Sequence, residues 1–375
     1  MELDQSVLTG GEVAAFKLRS LYRQYGYMPY KMSKFEEYEL YALNKDFLAS
    51  DSIITFNDAD GKLMALKPDV TLSIVKNSEE IPGLLQKVYY DEQVYRTAGT
   101  LNAIREIRQA GVECIGEIDT YHSCEVLLLA ARSLYSISKS YILDVSHMGF
   151  VAGLLECIDI SESCKRELLD CIRGKNRHGI EVICGAAGLA DDMLERLLTL
   201  VQAYGPMERV LDELRPVILN EAMSSSFTEL EQVCSVLKNL GYDRNVMFDF
   251  SVASSMRYYN GLLFTGYIDG IPSGVLSGGR YDKLMHKMGK KSGAIGFAVY
   301  LDLLEGLLSQ NSGYDVDILL LYSDDARVET LNRAAQDFVS RGLTVRVQKA
   351  VPKELRFRRL FRLSGNEVTE LGSDR

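Results

Sequence analysis

The segment Arg105–Gly116, REIRQAGVECIG, carries the residue types and spacing best suited to chemistry. Read as a strand, it sends Arg105, Ile107, Gln109, Gly111 and Glu113 to one face, because side chains alternate with period two. Gln109 offers an amide and Glu113 a carboxylate, with the bare Gly111 between them. A carboxylate accepts from ammonium and N–H groups, and an amide both donates and accepts, so this face suits a small ligand with cationic or N–H donor groups. Gly111 leaves room for such a ligand against the backbone. The same alternation also fits an exposed strand face with scattered polar residues, and on this segment alone both readings stand.

The elements around the segment follow from local pattern. Leu18, Leu21, Tyr22 and Tyr25 recur at helical spacing and Gly26 and Pro29 end the run, which predicts an early amphipathic helix. Ser52 to Ser73 reads as a hairpin turning at Asp58–Gly61. Lys87 to Arg96 is a strand, Thr97 to Ile104 a loop, and Arg105 to Gly116 the returning strand. Asp119 to Ser140 is helical in pattern, and 162–240 is almost wholly so. Strands are expected at Val246–Val252 and Gly261–Tyr267, then a strand breaking at Gly278 and Gly279 into a helix, then a strand from Ala294 running into a helix. The polar linker 309–313, SQNSG, separates a βαβ-like tail. In the tail Lys353, Arg356, Arg358, Arg359 and Arg362 alternate with apolar residues, which reads as a solvated helix face. The domains expected are 1–310, with a helical insertion at about 162–240, and a small, shortened α/β domain at 314–375.

Composition narrows the function classes. Of the 375 residues, 47% are hydrophobic and 25% charged, as in an ordinary globular protein. No apolar run has the roughly 18 residues of a membrane span. The acidic, polar start MELDQSVLTGGE is unlike a secretory leader, so a cytoplasmic location is expected. Seven cysteines without a C-x-x-C pair predict reduced thiols, with no zinc site and no disulfide frame. Cys157, Cys164 and Cys171, spaced by seven, are expected as helical core positions. A net charge of -10 argues against nucleic acid as a partner.

Several separated blocks together resemble the core of the class II histidyl-tRNA synthetases. They are Ala65–Thr71 (ALKPDVT), Tyr95–Arg96 with REIRQAGVECIG, Tyr258–Phe264 (YYNGLLF) and Ser277–Asp282 (SGGRYD), in the family's order and spread over roughly residues 1–308. The resemblance implies an α+β fold: an antiparallel sheet flanked by helices, with a helical insertion and a C-terminal domain like an anticodon-binding one. It also implies a histidine pocket. Asp69 (where the family has a longer glutamate) and Thr71 match the groups that hold the α-amino group. Gln109 and Glu113 match the amide and acid facing the amino group and imidazole. Tyr258 and Tyr259 match the tyrosines lining the imidazole site, and Arg96 the arginine that contacts the carboxylate or α-phosphate.

Amino-acid activation needs fixed cations around the ATP phosphates, which the family supplies as arginines. By the same alignment three of these fall at Ala103, Ser254 and Leu303. Losing one such donor typically costs about 3–4 kcal/mol in the transition state, so adenylation is expected to be lost. This profile resembles the regulatory subunit of ATP phosphoribosyltransferase, a synthetase-like family without catalytic residues or cofactor of its own. Its members pair with a short-form catalytic subunit, HisG, in the first step of histidine biosynthesis, with L-histidine as effector and a homodimer inside a larger hetero-oligomer. A working synthetase with rearranged phosphate contacts, and an RNA-binding module using the Arg356–Arg362 run, are the competing readings.

Overall fold

The computed structural model describes residues 8–48, 53–98, 103–252, 258–305 and 314–373. The chain divides into two compact units, residues 1–308 and 309–375.

The first unit is an α+β fold built on a nine-stranded sheet. Its strand order is Met28–Pro29, Gln86–Ala98, Ala103–Gly116, Gly293–Tyr300, Leu276–Arg280, Leu262–Ile268, Tyr141–His147, Val246–Asp249, Tyr204–Pro206. All neighbours are antiparallel except the pair at one edge and the pairing of Tyr141–His147 with Val246–Asp249. Alternation gives Ala103–Gly116 two faces with separate fates. Ala110, Val112 and Cys114 enter the main core with Leu18 and Tyr22 of the helix Gly10–Gln24 and with Leu127 and Leu134 of the helix Thr120–Ile137. Gln109, Gly111 and Glu113 face the opposite side, where Tyr90, Val94 and Ile115 join a second apolar cluster containing Tyr41, Leu72, Tyr281 and Met285.

The helix Gly10–Gln24 starts on a capping box: Thr9 accepts from the Glu12 N–H and the Glu12 carboxylate accepts from Thr9. Its Tyr22 packs against Tyr89 and Phe297, ring centroids 6.3 and 5.9 Å away. The hairpin expected from Ser52 is shorter than its sequence signal. Thr55–Asn57 pairs with Leu63–Leu66, and the chain then turns into the helix Thr71–Asn77. The loop expected from Thr97 is shorter too: the strands run on until Ala98 faces Ala103, with 99–102 outside the described residues.

Gly278 and Gly279 do not break their strand. Both lie inside Leu276–Arg280 because a Cβ at Gly278 would sit 2.4 Å from the Gly296 carbonyl, and one at Gly279 2.7 Å from the Tyr259 ring. The 162–240 stretch holds five helices, Glu162–Arg173, Arg177–Ala187, Asp191–Gln202, Met207–Leu214 and Glu221–Asn239, interrupted by the short strand Tyr204–Pro206. Cys157 and Cys164 are not core positions, whereas Cys171 packs against the main core from the helix Glu162–Arg173. Cys157 is exposed and the other two half-buried, whereas Cys114, Cys124, Cys184 and Cys234 are buried.

The second unit is a four-stranded sheet in the order Val345–Gln348, Val316–Tyr322, Phe357–Ser364, Glu367–Ser373, with one helix, Val328–Ser340. The first three strands are parallel and the last antiparallel. Residues 357–364 are therefore a strand and not the expected helix. Phe357 and Leu363 are buried, Arg358, Arg359 and Arg362 are exposed, and the pairing groups of Val316–Tyr322 are satisfied only by an extended neighbour. Arg356 and Arg359 form ion pairs with Asp315 and Glu370. Among the described residues no helix is long and apolar enough to cross a membrane.

Candidate functional site

Glu113 is 2% exposed, and its seat is set by strand register. Its neighbour across the sheet is Gly296, where a Cβ would lie 1.8 Å from Glu113 Oε2. Only glycine leaves the carboxylate that space. Thr71, the first residue of the helix Thr71–Asn77, donates from Oγ1 to Glu113 Oε1 at 2.8 Å. Tyr281 donates its hydroxyl to Oε2 at 2.5 Å, and its own backbone N–H is anchored on the Ala294 carbonyl. Burial pushes the Glu113 carboxyl up to about 8, against the pull of the two hydroxyl donors. A cationic guest beside it favours the ionised form and draws that pKa down.

Asp69 sits two residues before Thr71. Its Oδ1 accepts from the Leu72 N–H at 2.9 Å, so the carboxylate holds the start of the helix. Burial raises its pKa, opposed by that backbone donor and by Arg96. Arg96 is steered in turn by donating Nε to the Pro68 carbonyl at 3.0 Å. Gln109 is buried, and among the described residues no hydrogen bond engages its side-chain amide. Tyr258 lies 4.4 Å from Tyr259, 5.9 Å from Tyr281 and 5.5 Å from Phe47 between ring centroids. Burial drives the hydroxyls of Tyr258, Tyr259 and Tyr281 far above the usual range, so they act as neutral hydrogen-bonding groups.

Asp69, Thr71, Arg96, Gln109, Glu113, Tyr258 and Tyr259 all line one cavity of about 440 Å³, measured with its open mouth. Sequence reasoning missed eight further lining residues, among them Tyr90, Tyr281, Gly296 and Tyr300. Period two along Gly296, Ala298 and Tyr300 was the available signal, once their strand was paired with Ala103–Gly116. One expectation is corrected. The room above Gly111 does not belong to a ligand, because a Cβ there would meet the Phe297 carbonyl at 2.1 Å and the Tyr90 hydroxyl at 2.5 Å. Gly111 serves close strand packing instead.

The positions aligned with phosphate-binding arginines differ in kind. Ala103 and Leu303 are exposed and carry no charge, and Ser254 lies outside the described residues, as does the nearby Arg257. Arg96 is the one cation among the described residues lining the cavity. Arg108 is engaged elsewhere, held on Asp91 by bonds of 2.8 and 2.9 Å.

A family model described as histidyl-tRNA synthetase matches residues 10–304. The chain belongs to the histidyl-tRNA synthetase family. Within it, the chain is 26% identical over 343 residues to an ATP phosphoribosyltransferase regulatory subunit of Acetivibrio thermocellus, covering 88% of this chain and 81% of that protein. A crystal structure from Bacillus halodurans, named as an ATP phosphoribosyltransferase regulatory subunit/histidyl-tRNA synthetase, matches with a TM-score of 0.74 at 25% identity, over 91% of this chain and 88% of the other. The fold is also that of a chain in the ATP phosphoribosyl transferase (HisG:HisZ) complex of Thermotoga maritima, with a TM-score of 0.62 at 21% identity, over 80% of this chain and 97% of that one. Proteins named as histidyl-tRNA synthetases and as ATP phosphoribosyltransferase regulatory subunits thus share one fold, and side chains must distinguish them.

Proposed function

We propose that this chain is the non-catalytic regulatory subunit of an ATP phosphoribosyltransferase, acting in histidine biosynthesis, and that its cavity senses L-histidine. The observation that carries the reading is the charge layout: the buried Glu113 carboxyl and the half-buried Asp69 carboxyl, with Arg96 as the only lining cation among the described residues. An amino acid matches that layout and a triphosphate does not. Asp69 and Thr71 take the ammonium, Glu113 with the Tyr258–Tyr259 pair takes the imidazole, and Arg96 takes the carboxylate. ATP would bring several negative charges to a site with one lining cation among the described residues, which leaves adenylation without electrostatic support there.

The catalytic partner is a short-form catalytic subunit, HisG, and the chain works in the cytoplasm as a homodimer within a larger hetero-oligomer. Histidine acts by binding one arrangement of the assembly better than the other, so the partner must change histidine affinity by the same factor that histidine changes the assembly. The test is to combine the purified chain with a short-form catalytic subunit and to measure transfer of the phosphoribosyl group to ATP with and without histidine. The expected outcome is activity that depends on this chain and falls with histidine. Activity indifferent to the chain, or histidine-dependent ATP–pyrophosphate exchange by the chain alone, overturns the reading.

A further inference from the structure

The floor of the cavity rises along a single strand. On Gly293–Tyr300 the residues facing the cavity are Gly296, Ala298 and Tyr300, opposite Glu113, Gly111 and Gln109 respectively. The side chain grows from a hydrogen to a methyl to a phenol toward the Arg96 end. The room over Gly296 is filled by the Glu113 carboxylate, and the bulkiest side chain of the strand stands opposite Gln109. The Tyr300 hydroxyl interacts with the Arg96 guanidinium and also feels Asp69. Arg96 is held toward Pro68 through Nε, so it cannot swing aside without breaking that bond. A carboxylate that reaches Arg96 arrives against the Tyr300 ring.

Resting on the reading of this cavity as a histidine site, we infer that Tyr300 is its specificity wall: it admits an α-amino acid with a free carboxylate and excludes one whose carboxyl group is extended as an ester, amide or acyl-adenylate. Arg96 rewards the free carboxylate with a charge-assisted hydrogen bond, and an esterified or amidated carboxyl loses that charge. The ring then blocks the added group sterically. The wall also separates sensing from activation, because the mixed anhydride of histidine and AMP has no path past Tyr300 even where phosphate-binding cations are supplied.

The experiment is calorimetric binding to the full chain of three probes: L-histidine, L-histidinamide and 5′-O-[N-(L-histidyl)sulfamoyl]adenosine, a stable mimic of the acyl-adenylate. Wild type is expected to bind histidine and to bind the mimic at least tenfold more weakly. Tyr300→Ala is expected to shift the mimic-to-histidine affinity ratio at least tenfold toward the mimic, and Tyr300→Phe, which keeps the ring, to leave rejection of the mimic in place. Tyr300→Leu serves as a second shortened variant, with thermal melting to establish that each variant is folded. Wild type binding the mimic as tightly as histidine, or an unchanged ratio in both folded shortened variants, overturns the role of Tyr300 alone. No histidine binding by wild type overturns the histidine site and the wall together.

Discussion

Two ends of the same hairpin face a ligand in opposite ways. At the Glu113 end every group is fixed. The carboxylate holds two hydroxyl donors, lies over a glycine that alone makes room for it, and is walled by tyrosines packed on one another. At the outer end, Ala103 and Ile104 are exposed and uncharged, and Leu303 beyond the next strand is 40% exposed. Both ends share two strands and one register, so the fold does not distinguish them. Recognition of an amino acid uses a few buried, mutually oriented groups, whereas stabilising a polyphosphate uses cations at positions that the same backbone can present or omit. A chain can therefore lose the second capacity while the first stays built.

The sharpest way to break this comparison is at Gly296. Gly296→Ala places a methyl into the Glu113 carboxylate and the Val112 carbonyl, 1.8 and 2.4 Å from its ideal position. We expect a loss of stability of about 1–3 kcal/mol, the usual cost of overpacking, together with complete loss of histidine binding, measured by chemical denaturation and calorimetry. Glu113→Gln keeps the shape and removes the charge. Histidine affinity should fall by about 1.5–3 kcal/mol, roughly 10- to 150-fold, and histidine inhibition of the assembled transferase should fall with it. Inhibition that survives unchanged would place the effector site elsewhere.

Proton linkage offers a finer test. The folded Glu113 carboxyl is raised by burial from 4.5 to about 8. Because the folded pKa lies above the unfolded one, its contribution to stability is fully present below about 4.5 and is lost as pH rises through about 8. Unfolding free energy should decline across that window with a slope approaching one proton, and Glu113→Gln should remove that slope. Histidine binding near pH 7 should release a proton as the guest cation draws the carboxyl down, visible as a dependence of the calorimetric heat on the buffer. The smallest effect is expected at the exposed end: the pair Ala103→Arg and Leu303→Arg should leave histidine affinity within about twofold, since screening weakens exposed charges at a distance.

Much of the site was legible because it rests on local rules. Period two placed Gln109 and Glu113 on one face before any partner strand was known, and the resemblance carried by the Ala65–Thr71, Tyr95–Arg96 and Tyr258–Phe264 blocks supplied the other five of the seven residues that the cavity brings together. Tyr90, Tyr281, Gly296 and Tyr300 escaped, because each matters through what it touches across strands distant in sequence. The reading failed similarly in the tail. Arg356–Arg362 has charge spacing that suits a helix, yet pairing with Val316–Tyr322 makes most of it a strand, because tertiary hydrogen bonding outweighs weak local propensity. Gly278 and Gly279 misled for a related reason: glycine signals a turn locally, but here it answers a close approach that only the folded sheet creates.

By itself, the order of residues determined which side chains share a strand face, where the first helix ends, and that positive charge is missing at positions 103 and 303. Those properties depend on neighbours a few residues apart or on side-chain identity alone. Only the tertiary structure decided that Glu113 is a buried acid with a raised pKa, that Gly111 packs a strand and leaves no ligand space, and that Tyr300 closes the Arg96 end. Each of these depends on distance through space, and the registers that bring Gly296, Tyr90 and Tyr281 to Glu113 exist only when the sheet has formed.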